Sequence, residues 1–465
     1  MEGTARVEYA PSDASRLTAR ALLLVFAFAL LIRLIALACA FHFGGGEAFM
    51  SPDSGEFLNR ALLRPGLTAI LGFDPDQSYD KGLMPLAAWL MSITAGLPEG
   101  TPALGYIVLQ CIMDAMTCVV IAAAADTIRR GWGLWAGMLA AANATQVSIA
   151  LLYLADSIFL FFASVALFAG LRLIRQPGWG TALGLGAALG LAGLTRSAIV
   201  PLAPCFLVLL FWLMDKQTLW PRRLAHLIAA TCIFAVVLSP AVIRNVADNG
   251  TIAITNQGGV HLLYWVVPLV RNFAEGTPVN VTQTSARNEL NRRLAQPDTS
   301  PDAERTAKQL GWEMLWEKGL LPVFQAWSAG AMLNLTIPAA ADAPILRSLQ
   351  HESFYETPGE NIVDKIHAFL TEPKNTAFVT VMSISAAGVA IFLAALIFGT
   401  VVASRVHALM TLFLLAWVAG FLALNGPIAA PKYRLPIEPV WMILAAAALC
   451  VSISWIRQRL ELARR

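Results

Sequence analysis

Charge is scarce in this chain. Only 14% of its 465 residues are Asp, Glu, Lys or Arg, far less polar surface than a water-soluble protein of this size carries. The two signs nearly cancel, with Lys+Arg 33 against Asp+Glu 30 and a net charge of +3. The basic residues gather in short clusters instead of a stripe, so nothing is offered to a phosphodiester backbone and no nucleic acid is expected as a partner. The six cysteines (Cys39, Cys111, Cys118, Cys205, Cys232 and Cys450) all lie in apolar runs, and none forms a CxxC pair. They read as small core residues, not as disulfides or metal ligands. The histidines form no ligand-spaced set and His261 stands alone, which gives no argument for zinc. No internal repeat or low-complexity tract is present.

What the chain has in abundance is apolar sequence, 57% of all residues, in runs of the length that crosses a bilayer, about 20 residues. These runs fall at 21–41, 103–125, 132–150, 157–173, 179–196, 198–214, 223–243, 376–402, 405–424 and 435–455. They predict an all-α membrane protein with about ten or more transmembrane helices. Arg6, Arg16 and Arg20 ahead of the first run resemble the head of a signal peptide. That run is longer than a signal core and many spans follow, so an uncleaved first span is expected. With a cytoplasmic N-terminus, Arg129, Arg130, Arg172, Arg175, Lys216, Arg222, Arg223, Arg405 and the tail Arg457, Arg459, Arg464 and Arg465 all fall on the cytoplasmic side.

The expected plan is a cytoplasmic tail 1–20, a transmembrane module 21–243 with a first outer loop 42–102, a large outer segment 244–375, a second transmembrane module 376–456 and a cytoplasmic tail 457–465. Both termini are then cytoplasmic, in the plasma (inner) membrane. Residues 283–318 mix charge with Leu310, Met314 and Leu315, a pattern suited to outer-face juxtamembrane helices. The stretch 320–338 is open between a re-entrant helix, a surface helix and a further span.

Polar chemistry collects on the outer side. In Ser51-Pro-Asp-Ser-Gly-Glu56, Pro52 presets a turn and Asp53 can cap a short helix running to Leu63. Two readings are open for Asp53 and Glu56: a cap with its capping-box partner, or the acid groups of a site. Lys81 runs straight into an apolar stretch, either as a snorkelling interfacial lysine or as an anion ligand. Asp156 lies between two spans, Arg196 ends another, and Lys432-Tyr433-Arg434 opens the last. Charges at such depth face a bundle interior or a watery cavity. Arg434 and Lys432 suit a phosphate, one through its planar fork and the other as a point charge. The Asn256-Gln-Gly258-Gly259 turn either permits close backbone approach to a ligand or is an ordinary loop turn. Within the membrane, Arg33 and Asp114 reach similar depths in the first two spans and are expected to pair, since a lone charge there costs on the order of a few kcal/mol.

Taken in order, Pro52–Ala61, Lys81 to Trp89 with Pro85, Tyr153 to Phe162 around Asp156, Gly190–Arg196, Pro240–Asn245, Asn256–Gly259 and Lys432–Pro436 extend over nearly the whole chain. The set resembles GT-C glycosyltransferases. More narrowly it is similar to the dolichyl-phosphate-mannose mannosyltransferase and aminoarabinose transferase superfamily, with its rhizobial lipopolysaccharide core transferase-like branch. The resemblance implies a polyprenyl-phosphate sugar donor, no nucleotide sugar, and a glycan, lipid or protein acceptor on the outer face. It implies Asp53 as the catalytic carboxylate, with Glu56 beside it. Lys81, Asp156, Arg196, Asn256, Gly258, Gly259, Lys432, Tyr433 and Arg434 form the expected substrate-binding set. No cofactor is certain from it, and a divalent cation near Glu56 and Asp156 is left open. Aminoarabinose transferases show Lys-Pro-Pro where this chain has Lys81-Gly-Leu-Met-Pro85, and the mannosyltransferases show Asp-Glu where it has Asp53-Ser54. The donor sugar therefore does not carry over. A flippase or carrier of lipid-linked sugars would also be polytopic, but carriers commonly pair their halves around a midplane site, whereas these charges crowd one face. A scaffold recruiting a partner through 272–375 is the third reading.

Overall fold

The computed structural model describes residues 17–63, 85–94, 104–249, 252, 254–255, 257–295, 303–338, 357–371 and 376–463. All regular structure among them is helical. The membrane part holds α1 (Ala19–Gly44), α2 (Ser54–Leu63), α3 (Pro85–Thr94), α4 (Leu104–Ile128), α5 (Trp132–Ala141), α6 (Ala144–Ala150), α7 (Asp156–Arg175), α8 (Trp179–Thr195), α9 (Ile199–Leu213) and α10 (Trp220–Asn249). A second group of helices follows: α11 (Gly258–His261), a π turn (Leu262–Val266), α12 (Val267–Glu275), α13 (Val279–Leu294), α14 (Ala303–Trp316), α15 (Leu320–Thr336) and α16 (Ile362–Thr371). The chain then returns through α17 (Thr376–Asn425), α18 (Pro431–Arg434) and α19 (Glu438–Ala463).

All ten apolar runs are helical, with two instructive differences. The run at 132–150 is broken at Asn143, whose side-chain oxygen accepts from Gln146 N at 3.1 Å and starts a second helix. The runs at 376–402 and 405–424 are instead joined as α17, where His407 alone leaves helical geometry (φ −155°, ψ 86°). Among the described residues six helices are long and apolar enough to cross a membrane, and four apolar helices are shorter. The chain is a multi-pass membrane protein.

Helix ends sort into two faces. On one, Arg175 donates to Thr127 O, Asp215 N to Ile174 O, and Cys450 Sγ to Gly131 O, which gathers the arginine-rich loops. On the other, Tyr153 N bonds Phe49 O at 3.0 Å and Arg196 pairs with Asp156. Close approach between spans depends on small residues, as expected where lipid supplies no hydrophobic drive between helices. A Cβ at Gly186 would strike the carbonyl of Ala230, and one at Gly399 that of Leu444. Phe206 stacks on Trp417 at 4.7 Å, and Trp417 Nε1 bonds Pro436 O at 2.9 Å, fixing the turn before α19.

The expected intramembrane pair is present. Arg33 Nε bonds Asp114 Oδ2 at 2.6 Å with both side chains fully buried. Its other donors reach Ala29 O (3.1 Å), Ala141 O (2.9 Å), Ala140 O (3.4 Å) and Cys118 Sγ (3.5 Å). Arg33 therefore also donates to the carbonyls at the broken end of α5.

In the second group, α13 and α14 lie where 283–318 predicted helices. Leu310 and Leu315 are buried there, Leu310 against Leu263, Ala286 and Leu290, and Leu315 against Val266, Val267 and Ala326. Their apolar faces are covered by protein. The open stretch at 320–338 resolves into α15, which meets the end of α17 through Trp327 Nε1 to Ala423 O (3.0 Å) and Asn334 Nδ2 to Ile428 O (2.9 Å).

Candidate active site

Asp53 lies at the turn that opens α2, where Ser54 N bonds Ser51 O and Ser51 N bonds Ser54 Oγ at 2.8 Å. Ser54 Oγ thus holds the turn before α2, and the Asp53 carboxylate reaches Lys432 Nζ, 379 positions away in sequence. At 52% exposure the carboxylate remains open to solvent. Among the described residues Glu56 is exposed and makes no capping-box bond. The cap reading of Asp53 and Glu56 does not describe this geometry.

Lys432 sits on α18, a single turn whose first residue is Pro431, with φ already suited to a helix start. Its ammonium lies 5.4 Å from the centre of the Tyr433 ring. The Arg196 guanidinium also lies 5.4 Å from that ring, and 6.0 Å from that of Phe159. Arg196 follows the last residue of α8 and pairs with Asp156, the first residue of α7. Two carboxylate–cation pairs, Asp53 with Lys432 and Asp156 with Arg196, therefore share one tyrosine ring at one end of the bundle. Both cations keep part of their surface exposed, 21% and 23%, so an incoming anion can reach them.

His261, which sequence reasoning set aside as isolated, belongs to this cluster. It reaches solvent yet is partly enclosed. That enclosure, and then the positive charges of Arg196 and Lys432, hold it below the ordinary histidine range.

Other expected site residues are placed differently. Arg434 is buried at 3% exposure and fully engaged, with Nε on Glu438 Oε1 (2.7 Å), Nη2 on Thr145 Oγ1 (2.9 Å) and Nη1 on Ile337 O. It does not face the Asp53 cluster. Gly259 is glycine for packing: a Cβ there would strike Glu304 O and sit 2.7 Å from Lys308 N on α14. The Gly259 and Val260 amides donate to the Glu304 carboxylate, and Gly258 lies beside the same group. Lys81 and Asn256 lie outside the described residues. No three His, Cys, Asp or Glu side chains converge into a metal site among the described residues. Glu438 went unnoticed in the sequence, although its spacing of four from Arg434 on one helical run is the signal of an ion pair.

The fold and part of the sequence resemble known proteins. Over 96% of this chain the fold matches the oligosaccharyltransferase of Archaeoglobus fulgidus in its apo form, with a TM-score of 0.54 and 15% identity. The match covers 52% of that enzyme, so this chain spans about half its length. The likeness is one of fold, an all-helical membrane architecture shared with that enzyme. Residues 80–243 match the family described as dolichyl-phosphate-mannose-protein mannosyltransferase. ArnT from Cupriavidus metallidurans aligns in its apo state (TM-score 0.37, 15% identity, 90% of this chain and 77% of that one). The same enzyme bound to undecaprenyl phosphate aligns with a TM-score of 0.38 and 14% identity, over 93% and 78% of the two chains. No curated protein matches the sequence.

Proposed function

We infer that the protein transfers a sugar from a polyprenyl-phosphate donor to an acceptor hydroxyl, with inversion, on the non-cytoplasmic face of the plasma membrane. The observation that carries this reading is the convergence of Asp53, Lys432, Asp156 and Arg196 around Tyr433 at helix ends opposite the arginine-rich loops. Basic loops are retained in the cytoplasm, which supports an outer-face site with both termini on the cytoplasmic side. The family matched by residues 80–243 is described as acting with dolichyl-phosphate-mannose, which supports a lipid-phosphate-linked sugar as the donor class.

In the ligand-free protein each cation is neutralised by a carboxylate. A donor phosphate engages Lys432 and Arg196 and competes with those carboxylates, releasing Asp53 for chemistry. Asp53 takes the proton of the acceptor hydroxyl as its oxygen bonds the anomeric carbon. The bond from that carbon to the phosphate oxygen breaks on the opposite face, and its electron pair leaves with the polyprenyl phosphate. Because the leaving group is already a stabilised anion, no second carboxyl is needed to protonate it, unlike the two-carboxyl arrangement of a glycosidase. Lys432 and Arg196 instead meet the charge that develops on phosphate.

The test is sugar transfer by purified protein in detergent, with a radiolabelled polyprenyl-phosphate sugar. Asp53→Asn, nearly the same in shape, should remain in the membrane, bind donor and lose transfer. An Asp53→Asn protein with near-normal turnover would remove Asp53 from the base role. Transfer by the wild type separates an enzyme from a flippase or a scaffold.

A further inference from the structure

Lys432 and Tyr433 belong to a helix of one turn, which has too few internal hydrogen bonds to hold its own shape. What holds it lies behind it. Arg434, on the opposite side of the turn from Lys432, sends its three guanidinium nitrogens to three different parts of the molecule: Glu438 at the start of α19, Thr145 on α6, and the carbonyl of Ile337 after α15. The guanidinium also lies 5.1 Å from the Trp441 ring centre. Glu438 is 2% exposed and accepts in addition from Asn143 Nδ2 at 2.8 Å. Asn143 and Thr145 stand at the break between α5 and α6, and the other side of that break is held by Arg33 through Ala140 O and Ala141 O.

Two features argue for more than stability. A buried ion pair is commonly no better for folding than a well-packed apolar pair of the same volume. The Arg434–Glu438 pair also lies within one helical run, so the pair itself joins no two elements. The joining is done by the Arg434 branches to Thr145 and Ile337, which call for a planar, multiply donating group, and by the Glu438 carboxylate, which accepts from Asn143. We propose that Arg434 and Glu438, anchored on Asn143 and Thr145 at the broken span, are positioning residues that aim Lys432 at the donor phosphate. The proposal rests on Lys432 being a phosphate ligand. None of the four side chains touches substrate. They act through the pose of Lys432.

The probe is farnesyl phosphate, a short prenyl phosphate, titrated into the full-length protein in detergent by calorimetry, with thermal unfolding recorded for every variant. Loss of one charge-assisted bond in the network predicts about tenfold weaker binding for Arg434→Lys and Glu438→Gln. Arg434→Met with Glu438→Leu keeps the interior free of a bare charge and should unfold near the wild-type temperature while showing the same weakening. In a Lys432→Ala background the Glu438→Gln change should weaken binding no further. Variants that bind as tightly as wild type overturn the proposal. So does an equal loss with and without Lys432, since a merely structural network would act on the whole site. Wild-type protein that does not bind farnesyl phosphate overturns the reading of the site itself, and with it this one.

Discussion

Replacing Arg33 with leucine removes five donated bonds in one step, to Asp114, Ala29, Ala140, Ala141 and Cys118. It leaves the fully buried Asp114 carboxylate without a partner among the described residues, one of its oxygens being unpartnered already. Stripping one member from a buried ion pair costs about 3–5 kcal/mol. Asp114→Asn added to Arg33→Leu removes the bare charge, and the remaining deficit is the Ala141 carbonyl, Ala140 O keeping its bond from Asn143 N, about 1–3 kcal/mol. Exchanging the two residues restores attraction but moves the guanidinium onto α4, away from the end of α5 that it caps. The exchange should therefore rescue only in part. The assay is the temperature at which half the purified protein leaves the monodisperse gel-filtration peak. The expected order is wild type, then the Asn-containing double variant and the exchanged pair, then Arg33→Leu alone. A single variant as heat-stable as wild type, or a double variant no better than the single, would refute the account.

Two further outcomes follow from the geometry. His261 is held below its usual range, so it is neutral at neutral pH and gains a proton only as pH falls through that lowered value. A third cation then stands beside Arg196 and Lys432, and the donor phosphodiester keeps its single charge throughout. KM for donor should fall as pH drops from about 7 toward about 5, and the KM trend should vanish in His261→Asn. A KM trend that persists in that variant would place the titrating group elsewhere. In α17, Gly399→Ala drives a methyl into the Leu444 carbonyl whereas Gly388 faces open space. The first should lower stability by about 1–3 kcal/mol and the second should leave it unchanged or slightly raised, read from heat inactivation in detergent. Equal behaviour of the two would mean that α17 and α19 do not pack as described.

Much of the fold was legible because a bilayer imposes local rules. A span must be long and apolar, so ten runs could be marked by composition, and each proved helical. The breaks were less legible. Asn143 interrupts one run because its short side chain competes for backbone amides, and nothing in an apolar average registers that competition. At the site, Asp53, Asp156, Arg196, Lys432 and Tyr433 were marked from their positions at helix ends on one side, and they do meet. His261 was passed over because its partners come from α8 and α18, far from it in sequence.

The sequence by itself determined the solvent, the helical class and the Arg33–Asp114 pair, since in lipid a buried charge has only the neighbouring helix to turn to. Tertiary structure decided which cation serves the site. Lys432 and Arg434 stand two positions apart, equally basic and equally near the membrane boundary. On a helix that spacing sends side chains to opposite sides. Packing of α18 among α6, α15 and α19 turned Lys432 outward to Asp53 and Arg434 inward to Glu438 and Thr145, and no pattern confined to residues 431–438 encodes that choice.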